Sequence, residues 1–538
     1  MSKSFEMNRR GFLGSLAAAG LVPAGMVASG PALAQDAGGI LRTPFWPAPT
    51  YLNSAISTSG PESFLSPKFY DGLLGYESGM VPKPSLATAW EISEDGLTVT
   101  FTLREGVTWH DGEPFTSHDV AFTFMEVLKV HHGRGVNTFA NLTSVDTPDD
   151  YTAVFNLSKP SPAMMRALDS RECPILPAHL YEGTDIMENP VNTAPVGTGP
   201  FKLESYEIGS AVVMVPYEDY WDEGYPLLDR FIVQFVPDPA TRAAMLESGQ
   251  TDAIFLGMIP TQEILRIAEM DGFEMTTTGF EAMPSGLQLE FNLENEILAN
   301  KLVRQAIAHA IDTNWILENV FYGMGQTGAS PLHYDQRPFY TTEGVPSYPF
   351  DLAKANELLD EAGYPRGEGD MRFKLMLDPS PWGTESINSS AYIREVLRQV
   401  GIDVEVRQQD FAVFVTTVWT ERKHDLVLYT ATMGVDPTIG VHRFYLSSNF
   451  QPGTGFSNGA HYDNPEVDEL LNAASIEMDE EARIAQYAEF QQIAYEDLPI
   501  VKMVDIAAAP TLASTRVHDF APDALGALGS LKQTWVEQ

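Results

Sequence analysis

A chain of 538 residues is too long to fold around a single hydrophobic core, so two or three lobes are expected. It carries 73 acidic against 33 basic residues, a net charge of -40, and no basic cluster interrupts that acidity, so nucleic acid and anionic lipid are poor partners. The 44% apolar and 20% charged content belongs to an ordinary soluble protein, and the single cysteine, Cys173, excludes an internal disulfide.

The N-terminal stretch has to be set apart before the fold is read. Asn8-Arg9-Arg10-Gly11-Phe12-Leu13 is a twin-arginine pattern, and a weakly apolar, Gly/Ala-rich run continues to about Gly30. Ala32-Leu33-Ala34 is an A-x-A cleavage site, so residues 1–34 read as a signal peptide cleaved near Ala34. Pro23, the glycines and a run shorter than the roughly 20 residues of a membrane span argue against an anchor. The leader carries +2 (Lys3, Arg9 and Arg10 against Glu6), which leaves the exported chain near -42.

Residues 40–45 have the composition of a first strand, and residues 46–62 form a Pro/Ser/Thr-rich loop. Residues 91–93 and 97–103 alternate around Glu94-Asp95-Gly96, and Asp-Gly accepts the positive φ of a hairpin turn. After a second turn at Trp109-His110-Asp111-Gly112, Thr116 and Ser117 offer N-caps for a helix over 119–129, with Val120, Phe124, Val127 and Leu128 on its apolar side. Cys173 lies between Glu172 and Pro174 with no catalytic motif around it and reads as a buried, inert thiol. Residues 201–206 and 211–215 predict another hairpin. Residues 231–236 predict a strand, 240–248 a helix stopped by Gly249, and 251–255 a strand. Strand–helix–strand in so small a unit predicts a right-handed crossover in a layered α/β domain.

Farther along, Asn300 caps an amphipathic helix reaching Ile311, and Asp351 caps another that stops at Gly363. Strand-like 373–377, helix-like 392–400, and strand-like 404–407 and 425–429 alternate as an α/β lobe should. Helices over 465–475 and 479–496 precede a strand at 500–504.

Several short motifs invite a chemical reading. Gly323-Met324-Gly325-Gln326-Thr327-Gly328 fits G-x-G-x-x-G, yet it follows a helix and leads into Pro331, so it reads as a helix stop and flexible loop rather than a dinucleotide turn. His110-Asp111 sits in a tight turn, and His131-His132 lacks a second ligand set at zinc spacing. Neither a metal nor a cofactor is expected. G-x-S-x-G, S-x-x-K, H-E-x-x-H and P-loop patterns are missing from the sequence, which weakens hydrolase and NTPase readings.

A resemblance emerges from the ordered motifs Gly197-Thr198-Gly199-Pro200-Phe201, Tyr220-Trp221, Leu228-Asp229 and Ser248-Gly249-Gln250 before Asp252. With the run over 86–124 and Val303-Arg304-Gln305-Ala306-Ile307, they resemble the family 5 extracellular solute-binding proteins, the dipeptide, oligopeptide and nickel receptors of ABC importers. The resemblance spans nearly all of the exported chain. It implies an α/β fold, a two-lobed periplasmic-binding-protein fold (type II-like) with an extra subdomain on the first lobe. Residues 35–67, 190–285 and 505–538 would form that lobe, 68–189 the subdomain and 286–504 the second lobe. It also implies a periplasmic monomer that takes a small molecule or short peptide and meets a permease in the inner membrane without inserting there itself. An exported hydrolase acting on peptides or glycosides, and a periplasmic holdase, are the alternatives.

Ligands of α/β lobes sit at loops leaving strand ends. Three such loops are candidates: Asn53 with Ser57 and Thr58 after the first strand, Trp382 after residues 375–377, and the loop holding Tyr429, Met433, Gly434 and Asp436. Trp419 lies just before the last of these strands, and such aromatics suit an extended, part-polar ligand. In peptide receptors of this family an Asp a few residues before the D/E-Pro turn holds the peptide's α-ammonium. Here Asp436-Pro437 supplies the turn, but Met433 stands in that Asp's place. The missing charge-assisted bond, worth roughly 1.5–3 kcal/mol, leaves peptides, opines, sugars and other small polar solutes open.

Overall fold

A computed structural model describes residues 38–538 apart from 278, 280, 382, 383, 508, 509, 521 and 522. The leader and Trp382 therefore lie outside the described residues. Among those residues no helix is long and apolar enough to cross a membrane.

The first lobe begins with β1 (Ile40–Phe45) and α1 (Gly60–Phe69), followed by a small hairpin of β2 (Leu74–Glu77) and β3 (Val81–Pro84). The chain then builds the subdomain from β4 (Ala87–Ile92), β5 (Thr98–Leu103), α2 (Ser117–Phe122), β6 (Leu142–Asp149) and β7 (Thr152–Leu157). Its strands form one antiparallel sheet in the order β4-β5-β7-β6. Alternation in β5 turns Val99, Phe101 and Leu103 inward, where Phe101 meets Phe155 edge-on at 5.0 Å. Thr116 caps α2, with the Asp119 carboxylate accepting back from the Thr116 N–H.

Back in the lobe, β8 (Phe201–Glu207), β9 (Ala211–Pro216) and β10 (Arg230–Phe235) join β1 in the order β1-β10-β9-β8, with β1 parallel to β10. Helix α3 (Pro239–Glu247) follows, capped by Asp238, and then β11 (Ala253–Ile254), α4 (Thr261–Ala268) and β12 (Phe273–Thr276). The expected crossover is not made within one sheet: β11 belongs to a separate sheet in which residues 511–514, from the end of the chain, lie between β11 and β12. The reason is local. Asp252 donates its N–H to Arg42 O at 2.8 Å, but its carboxylate takes the Arg42 N–H at 2.9 Å where a ladder carbonyl would stand.

The second lobe is built on β13 (Ser285–Phe291), α5 (Lys301–Ala310), β14 (Gly325–Thr327), α6 (Leu352–Glu361) and β15 (Phe373–Pro379). It continues with α7 (Thr384–Gln399), β16 (Ile402–Val406), β17 (Leu426–Thr432), α8 (Pro437–Gly440), α9 (Pro465–Ala474), α10 (Glu480–Asp497) and β18 (Ile500–Ile506). The sheet order is β14-β18-β13-β17-β15-β16. Its central strands are buried on both faces, β17 largely with apolar residues and β13 with Gln288 and Glu290 opposite its leucines. Leu287, Leu289, Leu426 and Leu428 enter one core, while Val427, Tyr429 and Ala431 enter a second on the opposite face. The glycine-rich motif at 323–328 is not a free loop, because Gly325 to Thr327 pair with β18 as an edge strand. A Cβ on Gly325 would stand 2.3 Å from Asp505 O, so only glycine admits that approach.

From β18 the chain returns to the first lobe as β19 (Thr511–Ser514), β20 (Val517–His518) and β21 (Trp535–Val536). The lobes are thus linked twice, between β12 and β13 and between β18 and β19. The first lobe and the subdomain share one continuous core, which makes the subdomain an extension of that lobe.

The glycine and aromatic motifs of residues 197–221 have a structural job. His110 Nδ1 accepts the Gly197 N–H at 3.1 Å, which leaves Nε2–H to donate to Gly199 O at 2.9 Å. Burial pulls the His110 pKa down to about 4, so the ring is neutral at pH 7. Thr198, Tyr220 and Trp221 all donate to the buried Asp71 carboxylate.

Candidate functional site between the lobes

A cavity of about 410 Å³ lies where the two lobes face each other. The first lobe and subdomain contribute Thr58 and Ser63 beside the start of α1, and Arg134, Arg171 and Glu172 from two loops. The second contributes Thr430 to Thr432 at the end of β17, Gly434 and Val435 in the following turn, and Arg443 and Phe456 beyond it. Apolar walls with a few convergent polar groups are what small-solute sites offer.

The charged side chains on this wall are arranged unequally. Arg134 clamps Glu172 through Nε and Nη2 at 2.7 and 2.8 Å, and Arg171 Nη2 donates to the same carboxylate. Burial opposes ionisation of Glu172, but the Arg134 and Arg171 guanidiniums overcome it and hold its carboxyl well below the usual range. Asp169, just behind, takes the N–H groups of Arg171 and Glu172 on Oδ1 and so fixes the loop that carries both. Arg443 donates from Nε to Gly440 O at 3.1 Å and from Nη2 to Thr432 O at 2.8 Å, and its guanidinium lies 4.5 Å over the Phe444 ring. Burial lowers the Arg443 pKa, and the charge of Arg134 pushes in the same direction.

Of the residues singled out by sequence, Thr58 and Gly434 line the cavity. Ser57 precedes Thr58 on the same loop and is partly exposed. Asn53 is buried. Its Oδ1 accepts from Ala55 N–H, and its amide donates to Tyr181 and Asn192, so it shapes the loop from beneath. Trp419 and Tyr429 are buried behind the wall and support the cavity-lining Phe456, with ring centroids 5.5 and 5.3 Å from it. Met433 is buried, its carbonyl accepting from Gln336 Nε2 at 2.7 Å. Asp436 is fully buried in a two-pronged ion pair with Arg483, at 2.9 and 2.6 Å, and it accepts the Thr438 N–H as the cap of α8. Burial opposes its charge, but Arg483 outweighs burial and holds its carboxyl below the ordinary value.

Arg134, Arg171, Glu172, Arg443 and Phe456 were not singled out as site residues. They reach the cavity from three loops and, for Arg443, from a short helix over His442–Tyr445, and nothing in local sequence tells a lone arginine that another will face it. Arg134 does follow the His131-His132 pair, whose second ring, on His132, is buried in this cluster with its pKa lowered to about 4 by burial. Among the described residues no group of three His, Cys, Asp or Glu side chains is placed to hold a metal. Cys173 is buried, with its Sγ 2.7 Å from Ala167 O, and burial raises its pKa.

Two α/β lobes, two linking crossings and a cavity between them define a solute receptor of the hinged type. The model of the bacterial extracellular solute-binding proteins, family 5, matches residues 81–452, and the chain belongs to that family. Heme-binding protein A of Haemophilus influenzae is 28% identical over 501 residues, covering 86% of each chain. The glutathione-binding protein GsiB of Salmonella typhi is 29% identical over 447 residues, covering 81% of this chain and 83% of the other. Among solved structures, the ABC transporter substrate-binding protein CtaP of Listeria monocytogenes superposes with a TM-score of 0.80 at 24% identity, covering 93% of this chain and 100% of that one. The protein is accordingly the substrate-binding component of an ABC importer.

Proposed function

We propose that this receptor works in the periplasm, captures one small polar or peptide-like solute between its lobes and passes it chemically unchanged to an inner-membrane permease. The observation that carries this reading is the cavity itself, walled by residues of both lobes and too large to be a packing defect. A ligand that touches both walls is bound only when the lobes are together, so its binding free energy drives closure. Arg166, on the subdomain, already spans the gap, 3.9 Å from Asp436 and 5.1 Å over the Phe339 ring of the second lobe.

In this reading Thr58 and Gly434 touch the ligand, whereas Asn53, Trp419, Tyr429, Met433 and Asp436 hold the wall in shape. The lobes follow the expected boundaries of 35–67, 190–285 and 505–538, 68–189 and 286–504, except that β13 and β18 stay whole in the second lobe (285–506) and the β2–β3 hairpin stays with the first. Export uses the twin-arginine leader with cleavage near Ala34, and the protein acts as a monomer. A thermal-shift screen over peptides, opines, sugars and metal ions tests the core of the proposal. A saturating rise in melting temperature for one solute, with no product formed, is the expected result. Turnover of that solute, or no saturable binding by any, refutes it. Mass spectrometry of the periplasmic protein should give an N-terminus near Gln35.

A further inference from the structure

We infer that the captured solute carries an oxyanion, a carboxylate or phosphate group, which Arg443 grips from the second lobe; the inference rests on the receptor reading above. The charged residues of the cavity wall are Arg134, Arg171, Arg443 and Glu172, an excess of positive charge in a chain whose net charge is -40. Glu172 is already engaged by both Arg134 and Arg171. With Asp169, whose charge acts on Arg171 from behind, that cluster is balanced two against two. Arg443 is the remainder.

No described carboxylate forms an ion pair with Arg443, and its two hydrogen bonds go to main-chain carbonyls, leaving Nη1 without an acceptor among the described residues. Those carbonyls and the Phe444 ring orient the guanidinium of a side chain that lines the cavity. Glu290 does not pair with it either: its Oε2 accepts from Tyr429, burial raises its carboxyl to about 7, and the cation acting on it is Arg422. A partly desolvated guanidinium that has no counter-ion among the described residues and feels the charge of Arg134 is an unfavourable arrangement on its own, and an anion beside it relieves it. The planar fork of Arg suits the two oxygens of a carboxylate or phosphate. With Glu172 occupied, the described residues of the wall offer no free carboxylate for an ammonium, so the preferred solute is anionic overall rather than zwitterionic.

The test is a set of thermal-shift and calorimetric titrations with three groups of probes. One is glutarate and N-acetylglutamate, one is glycerol 3-phosphate, and the third is glucose, Ala-Ala and putrescine. Saturable binding within the first or second group is expected, and which group responds identifies the oxyanion. Arg443→Gln should weaken that binding about tenfold to a hundredfold, and Arg443→Lys should recover part of it. Should Arg443→Gln melt early, the wild type decides, since its affinity for the anion must fall as salt is raised. Binding of the third group alone, or anion affinity indifferent to both Arg443 and salt, overturns the inference while leaving the receptor reading intact. Failure of all three groups to bind overturns both.

Discussion

Asp436 is the residue whose removal tests the account of the second lobe most directly. Its carboxylate is fully buried, takes both prongs of Arg483, and caps the helical turn that follows the cavity-lining Gly434 and Val435. Asp436→Ala leaves the Arg483 guanidinium, whose side chain is only 4% exposed, without its counter-ion. Removing one partner of a buried pair costs about 3–5 kcal/mol. The lost helix cap, worth about 1 kcal/mol, belongs to the same carboxylate and is not added separately. In a lobe of this size the change should lower the melting temperature by roughly 10 °C. Circular-dichroism melts and urea titrations read it. The sign with pH is also determined. The folded-state pKa is depressed, so the ion pair stabilises above the unfolded value of 3.8 and is lost as pH falls through the folded one. The gap between wild type and Asp436→Ala should therefore narrow below about pH 4. A loss under about 1 kcal/mol would refute this account of the pair. Solute binding abolished with stability intact would make Asp436 a ligand contact instead.

Three further outcomes are expected. Burial raises the Glu290 carboxyl to about 7, against the Tyr429 hydrogen bond and Arg422, so its ionisation penalises the folded state as pH rises from the unfolded value towards and past 7. Glu290→Gln should be nearly neutral at pH 5 and stabilising by up to roughly 3 kcal/mol at pH 8.5, as melts at the two pH values would report. A Cβ on Gly440 would stand 1.8 Å from Met433 O, so Gly440→Ala must displace the Met433–Asp436 turn, costing about 1–3 kcal/mol and weakening solute affinity in calorimetry. Arg166→Ala removes a contact present only when the lobes meet, and should leave the melting temperature of the ligand-free protein within a few degrees while small-angle scattering shows a more open form.

Much of the architecture could be read from sequence because its signals are local. β1 coincides with the expected strand, the 201–216 hairpin forms around Gly209 at φ 76°, and Asn300 and Asp351 each accept from backbone N–H groups at the helix starts where caps were expected. Helix α7 begins eight residues before the expected helix, because its first turns, bearing Ser386, Ser389 and Ser390, bury small polar side chains that carry no apolar period. The separate sheet of β11 and the edge strand β14 were hidden for a different reason. Each depends on a partner more than 150 residues away, β19 or β18. The site was least legible of all. Loop positions were readable from strand ends, which located Thr58 and Gly434, but the pairing of Arg134 with Glu172 and the lack of any such partner for Arg443 among the described residues exist only in three dimensions.

Lys68, at the end of α1, is completely buried, and its ammonium donates to the carbonyls of Ala527 and Gly529 at 2.9 and 2.6 Å. A polar side chain made early in synthesis thus waits for acceptors that emerge some 460 positions later. Until that final segment arrives, the lobe translated first must either bury an amine without its acceptors, whose pKa burial pulls well below the ordinary value, or stay open around it. The part of the protein nearest its beginning is consequently the last to become proteolytically secure, and clipping the tail should loosen α1 before it disturbs anything in the other half.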